Sequence, residues 1–277
     1  MNMCPEYKSL RLGDRLVILR SPLVMAIVNA TPDSFFSASR AGDEQAVRAA
    51  VTRAVSDGAD IIDLGACSTR PAVQADGGLV SEQLEWQRLN MALAAVARMN
   101  TGIPVSVDTF RPGVARRAIE EYGVAIINDI SGGSDEMFDL VAEHRTAYVL
   151  TYNRAYDRHK TDDLLSDALR FLSGRVDELH RRGVSDVIVD PGFGFGQTVP
   201  ESLDLLANLS VLQHLGCHVL VGISRKRMAY EPAGLTPDTC LEQTLLLEQK
   251  AIRQGASILR VHDVAATIEM INKKVKD

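Results

Sequence analysis

Short apolar runs alternate along this chain with longer amphipathic segments. The runs are Val24–Val28, Asp60–Leu64, Pro104–Val107, Ala125–Ile127, Ala147–Leu150, Val187–Val189, His218–Val221 and Ser257–Val261. Most are β-branched and nearly continuous in apolar character, which predicts strands buried on both faces, as in a parallel sheet. Helical periodicity fills the intervals and predicts helices over Asp43–Ser56, Ser81–Met99, Gly113–Tyr122, Asp135–Glu143, Leu164–Arg182, Glu201–Leu215, Thr239–Gln254 and Ala265–Lys276. Ser81 is a good N-cap, and Gly58, Gly123, Gly183, Gly216 and Gly255 stand where C-cap glycines belong. Eight strands alternating with helices predict an α/β fold, a closed (β/α)8 TIM barrel. An open doubly wound sheet is the alternative, but no glycine-rich nucleotide fingerprint follows the first strand. No linker or low-complexity stretch divides the chain. Residues 1–277 therefore read as a single domain, with residues 1–22 closing the bottom of the barrel.

In such a barrel the chemistry gathers at the C-terminal ends of the strands. Here those ends carry Asn29-Ala-Thr-Pro-Asp-Ser-Phe35, Gly65-Ala-Cys-Ser-Thr-Arg-Pro71, Asp108-Thr109, Asn128-Asp129, Asp190-Pro-Gly-Phe-Gly-Phe-Gly196, Ser224-Arg-Lys226 and Arg260-Val-His-Asp263. Two kinds of group recur. Arg70, Lys226, Arg260 and His262 are suited to an anion, and guanidinium forks match phosphate oxygens. Asp108, Asn128, Asp129 and Asp190 suit a flat heterocycle with adjacent N–H donors, because a buried carboxylate is costly unless paired. Asp63, inside the second strand, reads equally as a structural polar group. The glycines around Phe193 and Phe195 mark a loop that a ligand approaches, with Gly194 between them. His144, His159, His180 and His214 read as surface residues. No histidine is placed to activate Cys67.

Composition narrows the picture. The chain has 277 residues, 46% hydrophobic and 24% charged, and a net charge of -6. That is an ordinary globular composition, and it makes neither nucleic acid nor an anionic membrane an expected partner. The four cysteines form no CxxC pair, residues 1–20 lack an apolar signal core, and no run is long enough to span a bilayer. These features predict a cytoplasmic protein.

The strand-end motifs, in their order and over nearly the whole chain from Val24 onward, resemble the dihydropteroate synthase family. That resemblance implies condensation of 6-hydroxymethyl-7,8-dihydropterin diphosphate with p-aminobenzoate, with release of pyrophosphate, in folate biosynthesis. It implies that Asp108, Asn128, Asp190 and Lys226 hold the pterin, with Asp190 on its aminopyrimidine edge. Arg70, Arg260 and His262 would hold the diphosphate. Asn29 would reach a Mg2+ cofactor on that group. Thr69, Pro71, Phe195 and Ser224 would help form the p-aminobenzoate site, and Gly194 is a further substrate-binding position. The family is commonly dimeric, and apolar positions in the last two helices (Leu245, Leu246, Leu247, Ile268 and Ile271) allow a homodimer. The chain departs from the family pattern in several places. Thr151-Tyr152-Asn153 stands for Met-His-Met, so a methionine lining the pterin pocket is absent. Gly65-Ala66-Cys67-Ser68 stands for Gly-Gly-Glu-Ser, the Asp-Gly after Ser-Phe is missing, Arg227 replaces a small hydroxyl residue, and Gln243-Thr244 replaces Gly-Thr. Two other readings are a non-catalytic or altered-substrate pterin-binding homologue, and a Schiff-base aldolase in which Arg225 lowers the pKa of Lys226.

Overall fold

A computed structural model describes residues 9–30, 40–67 and 80–274. Eight parallel strands follow one another around a closed barrel: β3 (Leu23–Asn29), β4 (Ile61–Gly65), β5 (Val105–Asp108), β6 (Ile126–Asp129), β7 (Ala147–Thr151), β8 (Val187–Asp190), β9 (His218–Val221) and β10 (Ile258–Val261), with β10 pairing back onto β3. Helices follow the strands: α1 (Arg40–Ser56), α2 (Glu82–Met99), α3 (Pro112–Tyr122), α4 (Asp135–His144), α5 (Leu164–Arg181), α6 (Val199–Ala207), the short α7 (Arg227–Tyr230), α8 (Leu241–Arg253) and α9 (Val264–Lys274). The barrel predicted from the strand cadence is the fold observed, and each predicted strand lies within two residues of its observed bounds.

Helix bounds differ from expectation, with α1 starting at Arg40 rather than Asp43 and α7 falling in no expected helix, and two of the differences have a local cause. The stretch 201–215 breaks at Asn208, whose side chain donates to the Asp204 carbonyl at 2.9 Å and leaves only a 3-10 turn over Leu209–Leu215. A local side-chain bond of this kind competes with the helical ladder. Likewise α8 starts at Leu241 rather than Thr239, because Thr239 Oγ1 accepts from the Thr236 N–H at 3.0 Å in a preceding turn.

Side chains on a strand alternate between faces, and this parity organises the molecule. Met25, Ile61, Ile126, Val149, Ile188, Leu220 and Ile258 form one apolar cluster inside the lower barrel. Their neighbours Val24, Ile62, Ile127, Leu150, Val189, Val221 and Leu259 belong to a second cluster shared with the helices. The chain before the barrel forms a hairpin that the sequence reading did not contain, β1 (Ser9–Leu12) paired antiparallel with β2 (Arg15–Ile18). Leu10 and Leu12 of that hairpin join the interior cluster, and the Arg11 N–H donates to Asp186 at 2.8 Å. Followed toward the C-terminal ends of the strands, the interior parity turns polar: Asp63, Ser106, Asp108, Asn128, Thr151, Asp190 and Arg260. An apolar lower half thus supports a charged upper half.

Candidate active site at the barrel mouth

Arg260 crosses the mouth from β10. Its Nε donates to Asp63 Oδ2 at 2.6 Å and its Nη2 to Asp108 Oδ2 at 2.8 Å. Asn128 donates through Nδ2 to the same Asp63 oxygen at 3.1 Å. The register places Asp108 beside both Gly65 and Asn128, so four strands contribute to one cluster. Burial opposes the Arg260 charge, but Asp63 and Asp108 outweigh it and hold the guanidinium above its ordinary range. Burial pushes the Asp108 carboxyl up to about 7 against the pull of Arg260, with Asp63, Glu85 and Asp129 adding to the rise. Asp108 Oδ1 and Asp63 Oδ1 are buried without a hydrogen-bond partner. Such acceptors call for a donor.

The second half of the cluster comes from β8 and β9. Asp190 ends β8, and its Oδ1 accepts from the Gly192 N–H at 2.7 Å. Gly192 has φ of 73°, and a Cβ there would fall 1.8 Å from the Tyr152 carbonyl oxygen. Only glycine fits this turn. Lys226 donates to the Phe193 carbonyl at 2.5 Å and lies 5.2 Å from the centre of the Phe195 ring. Gly194 passes over the lysine stem, its vacant Cβ position 3.4 Å from Lys226 Cδ. Phe193 is core, whereas Phe195 is half-buried at the mouth. The halves meet at Gly222, whose vacant Cβ position is 3.8 Å from both Lys226 Nζ and Arg260 Cβ. Burial pushes Lys226 down to about 8, resisted by Asp190 and Asp108 and aided by Arg260. Burial raises the Asp190 carboxyl, with Lys226 the main opposing charge.

At the rim, Ser224 is buried and its Oγ lies 3.1 Å from His262 Nδ1. Desolvation, followed by the cations Arg225, Arg260 and Lys226, pushes the His262 imidazole down to about 4 and leaves it neutral near pH 7. The Arg225 guanidinium is occupied by Asp263, at 3.1 and 2.7 Å. The cation set against Lys226 is therefore Arg260, not the Arg225 of the aldolase reading. Asn29 is exposed at the end of β3, its Oδ1 3.5 Å from the vacant Cβ position of Gly65. Thr69, Arg70 and Pro71 lie outside the described residues.

Three findings differ from the sequence reading. Asp129 faces the helices, not the mouth: its oxygens accept from the Ser131 N–H at 2.7 Å and the Tyr148 hydroxyl at 2.8 Å. Neighbouring residues on one strand cannot share a face, so Asn128 points in and Asp129 points out. Asp63, which the sequence left open, lies at the centre of the cluster. Glu85 on α2 was missed altogether. It is fully buried and accepts from Thr109 Oγ1 at 2.6 Å and from Arg111, which also donates to the Val80 carbonyl at 2.6 Å. At the altered end of β7, Thr151 sits beside Asp190 in the ladder, Tyr152 packs against Phe171, and Asn153 donates to the Ile130 carbonyl at 3.1 Å.

Comparison with known proteins places the chain in a family. The model of a family described as pterin binding enzyme matches residues 25–262. The chain belongs to the pterin-binding enzyme family. Within that family it is 35% identical over 252 residues to dihydropteroate synthase of Bacillus subtilis, covering 90% of this chain and 86% of that one. The solved dihydropteroate synthase of Xanthomonas albilineans with 4-aminobenzoic acid superposes with a TM-score of 0.88 at 35% identity, covering 98% of both chains. The Thermus thermophilus enzyme in complex with 6HMPPP gives 0.83 at 33% identity, covering 97% of this chain and 99% of that one. Among the described residues of this pterin-binding enzyme, no helix is long and apolar enough to cross a membrane.

Proposed function

We propose that this chain is a dihydropteroate synthase, a transferase of folate biosynthesis that joins p-aminobenzoate to 6-hydroxymethyl-7,8-dihydropterin diphosphate and releases pyrophosphate. The observation that carries the reading is the meeting of Asp108, Asn128 and Asp190 with Lys226 and Arg260 at one barrel mouth. Asp190 accepts two parallel N–H bonds from the aminopyrimidine edge, while Asp108, Asn128 and Lys226 hold the rest of the ring. Arg260, His262 and Arg70 bind the diphosphate. Thr69, Pro71, Phe195 and Ser224 receive the p-aminobenzoate, and Gly194 passes over the Lys226 stem beside it.

The methylene C–O bond breaks with its electron pair leaving on pyrophosphate, and the resulting cation is conjugated with the ring. The amine lone pair then forms the C–N bond, and the nitrogen loses its proton to the released pyrophosphate. A guanidinium aimed at the departing oxygens stabilises charge where it develops. Excluding water protects the cation from capture. No strong base is needed, in keeping with a site built from charge and shape rather than from a nucleophile and its base.

Mg2+ is bound in proteins by one or two side chains plus substrate phosphates and water. The donor here fits that mode: Asn29 presents a hard amide oxygen at the rim, exposed at the end of β3. Mg2+ held by Asn29 and the diphosphate would supply Lewis-acid stabilisation of the leaving group. The spacing of the four cysteines supports a cytoplasmic setting. Dimerisation through α8 is supported by Leu241 and Leu246, which are 40% and 54% exposed there, whereas Ile271 on α9 is buried.

The test is a coupled assay with dihydropterin diphosphate, p-aminobenzoate and Mg2+. Pyrophosphate release that depends on p-aminobenzoate is expected. Tight pterin binding without release would refute the activity, and a monomeric mass in solution would refute the dimer.

A further inference from the structure

Asp63 is fully buried beneath the ring slot and the anion nest, and it belongs to neither in the reading above. Its single Oδ2 nevertheless receives Arg260 Nε and Asn128 Nδ2 at 2.6 and 3.1 Å. An ionised carboxylate only accepts. Asn128 must therefore turn its NH2 toward Asp63, which leaves its Oδ1 as the group facing away. The guanidinium, fixed at Nε by Asp63 and at one edge of Nη2 by Asp108, keeps its remaining N–H groups for other acceptors. One carboxylate thus sets two poses: an amide oriented for a ring and a fork oriented for an anion.

We propose that Asp63 is a positioning residue that couples the pterin slot to the diphosphate nest by fixing Asn128 and Arg260 together. This rests on the dihydropteroate synthase reading. A buried carboxylate with one idle oxygen is a costly way to fill a barrel interior. That cost has a physical reason if both bonds orient substrate-binding groups, since charge-assisted bonds are the strong and directional ones.

The experiment is a double-mutant cycle on ligand affinity. Kd values for dihydropterin diphosphate and for the free hydroxymethyl dihydropterin are measured by calorimetry on the unchanged full chain, Asp63→Asn, Arg260→Ala and the double variant. If Asp63 acts through Arg260, Asp63→Asn weakens the diphosphate ester by at least about ten-fold, the scale of a charged hydrogen bond. In the Arg260→Ala background the loss for the ester shrinks to the smaller loss seen with free pterin, the part carried by Asn128. Additive losses in the two backgrounds, or equal losses for ester and free pterin, overturn the proposal while leaving the proposed activity standing. Failure of the unchanged chain to bind the ester overturns both. Should Asp63→Asn not fold, exchange of the Arg260 Nε proton, read by NMR in the unchanged protein, decides the matter. Slow exchange is expected for a proton donated to a fully buried oxygen, and exchange as fast as that of a surface arginine overturns the proposal.

Discussion

Asp190→Asn is the sharpest single test of the ring slot, because the structure fixes what the new side chain must do. Asp190 Oδ1 already accepts from the Gly192 N–H at 2.7 Å, in a turn that only glycine can make. An asparagine must keep its oxygen on that N–H, so its NH2 replaces the second carboxylate oxygen toward the slot. A ring edge carrying N–H donors then meets a donor. Each charge-assisted bond is worth about 1.5–3 kcal/mol. Losing one outright and the charge assistance of the other, less what water recovers, gives about 3 kcal/mol, or roughly two powers of ten in Kd. Lys226 also loses the anion that most supports its charge, so its pKa, already about 8, falls further. Stability should move the other way. The Asp190 carboxyl is raised by burial, so its ionised form costs the fold at neutral pH, and a neutral isostere removes that cost. Calorimetric titration with the free hydroxymethyl dihydropterin should show the loss of affinity, and a thermal melt at pH 7.5 should show an unchanged or higher Tm. An affinity within about three-fold of the unchanged protein, or a Tm that falls together with affinity, would refute the slot and make Asp190 a structural residue.

Further outcomes follow from the same charges. Because the Asp108 carboxyl is raised to about 7, a ring that donates N–H bonds to it should expel its proton. Titrations near pH 6.5 in buffers of different ionisation enthalpy should therefore report net proton release on binding free pterin, and none would count against Asp108 as an acceptor. Lys226 is lowered to about 8 from an ordinary 10.5. The folded chain therefore sheds that proton first, and this group's contribution to stability grows as pH rises from about 8 to 10.5. Denaturant titrations of Lys226→Met should lack that slope, and identical slopes in both proteins would exclude the depressed pKa. Asn29→Ala should raise the Mg2+ concentration for half-maximal pyrophosphate release by roughly ten-fold or more and leave free-pterin affinity unaltered. A matching loss of pterin affinity would place Asn29 in the ring slot instead.

The barrel was legible because its strands are short, β-branched and evenly spaced between helical segments, a cadence with few other solutions. The strand-end position of Asp108, Asn128, Asp190, Lys226 and Arg260 was legible for the same reason. What was misread turns on parity and on distance in sequence. Asn128 and Asp129 are adjacent and equally polar, so a motif cannot separate them. Counting in twos from Ile126, which packs inside the barrel, sends Asn128 inward and Asp129 toward Tyr148. The same count from Ile61 puts Asp63 inside, where the motif reading left it open. The hairpin of residues 9–18 carries an alternation too, but its charged alternate positions hid two leucines that pack inside the barrel. Glu85 had no local signal at all: its partners Thr109 and Arg111 lie 24 and 26 residues away, and only the closing of α2 onto the end of β5 brings them together.

The parity argument also explains why the charges are where they are. An interior row that is apolar below and polar above cannot be read as strand alternation or as surface. In a closed barrel, every inward side chain of the upper layer faces the others across the mouth. Three acids, Asp63, Asp108 and Asp190, then stand against two cations, Lys226 and Arg260, with little solvent to screen them. Such a layer is expensive in folding terms, and idle buried oxygens on Asp63 and Asp108 mean that the cost is not fully offset within the chain. A ligand offering donors to the acids and acceptors to the cations recovers what the fold forgoes, and stabilises the folded state by mass action. Dihydropterin diphosphate should therefore raise Tm more than pyrophosphate and free pterin do separately at the same free concentration. A shift no larger than that of either fragment would contradict a single continuous site.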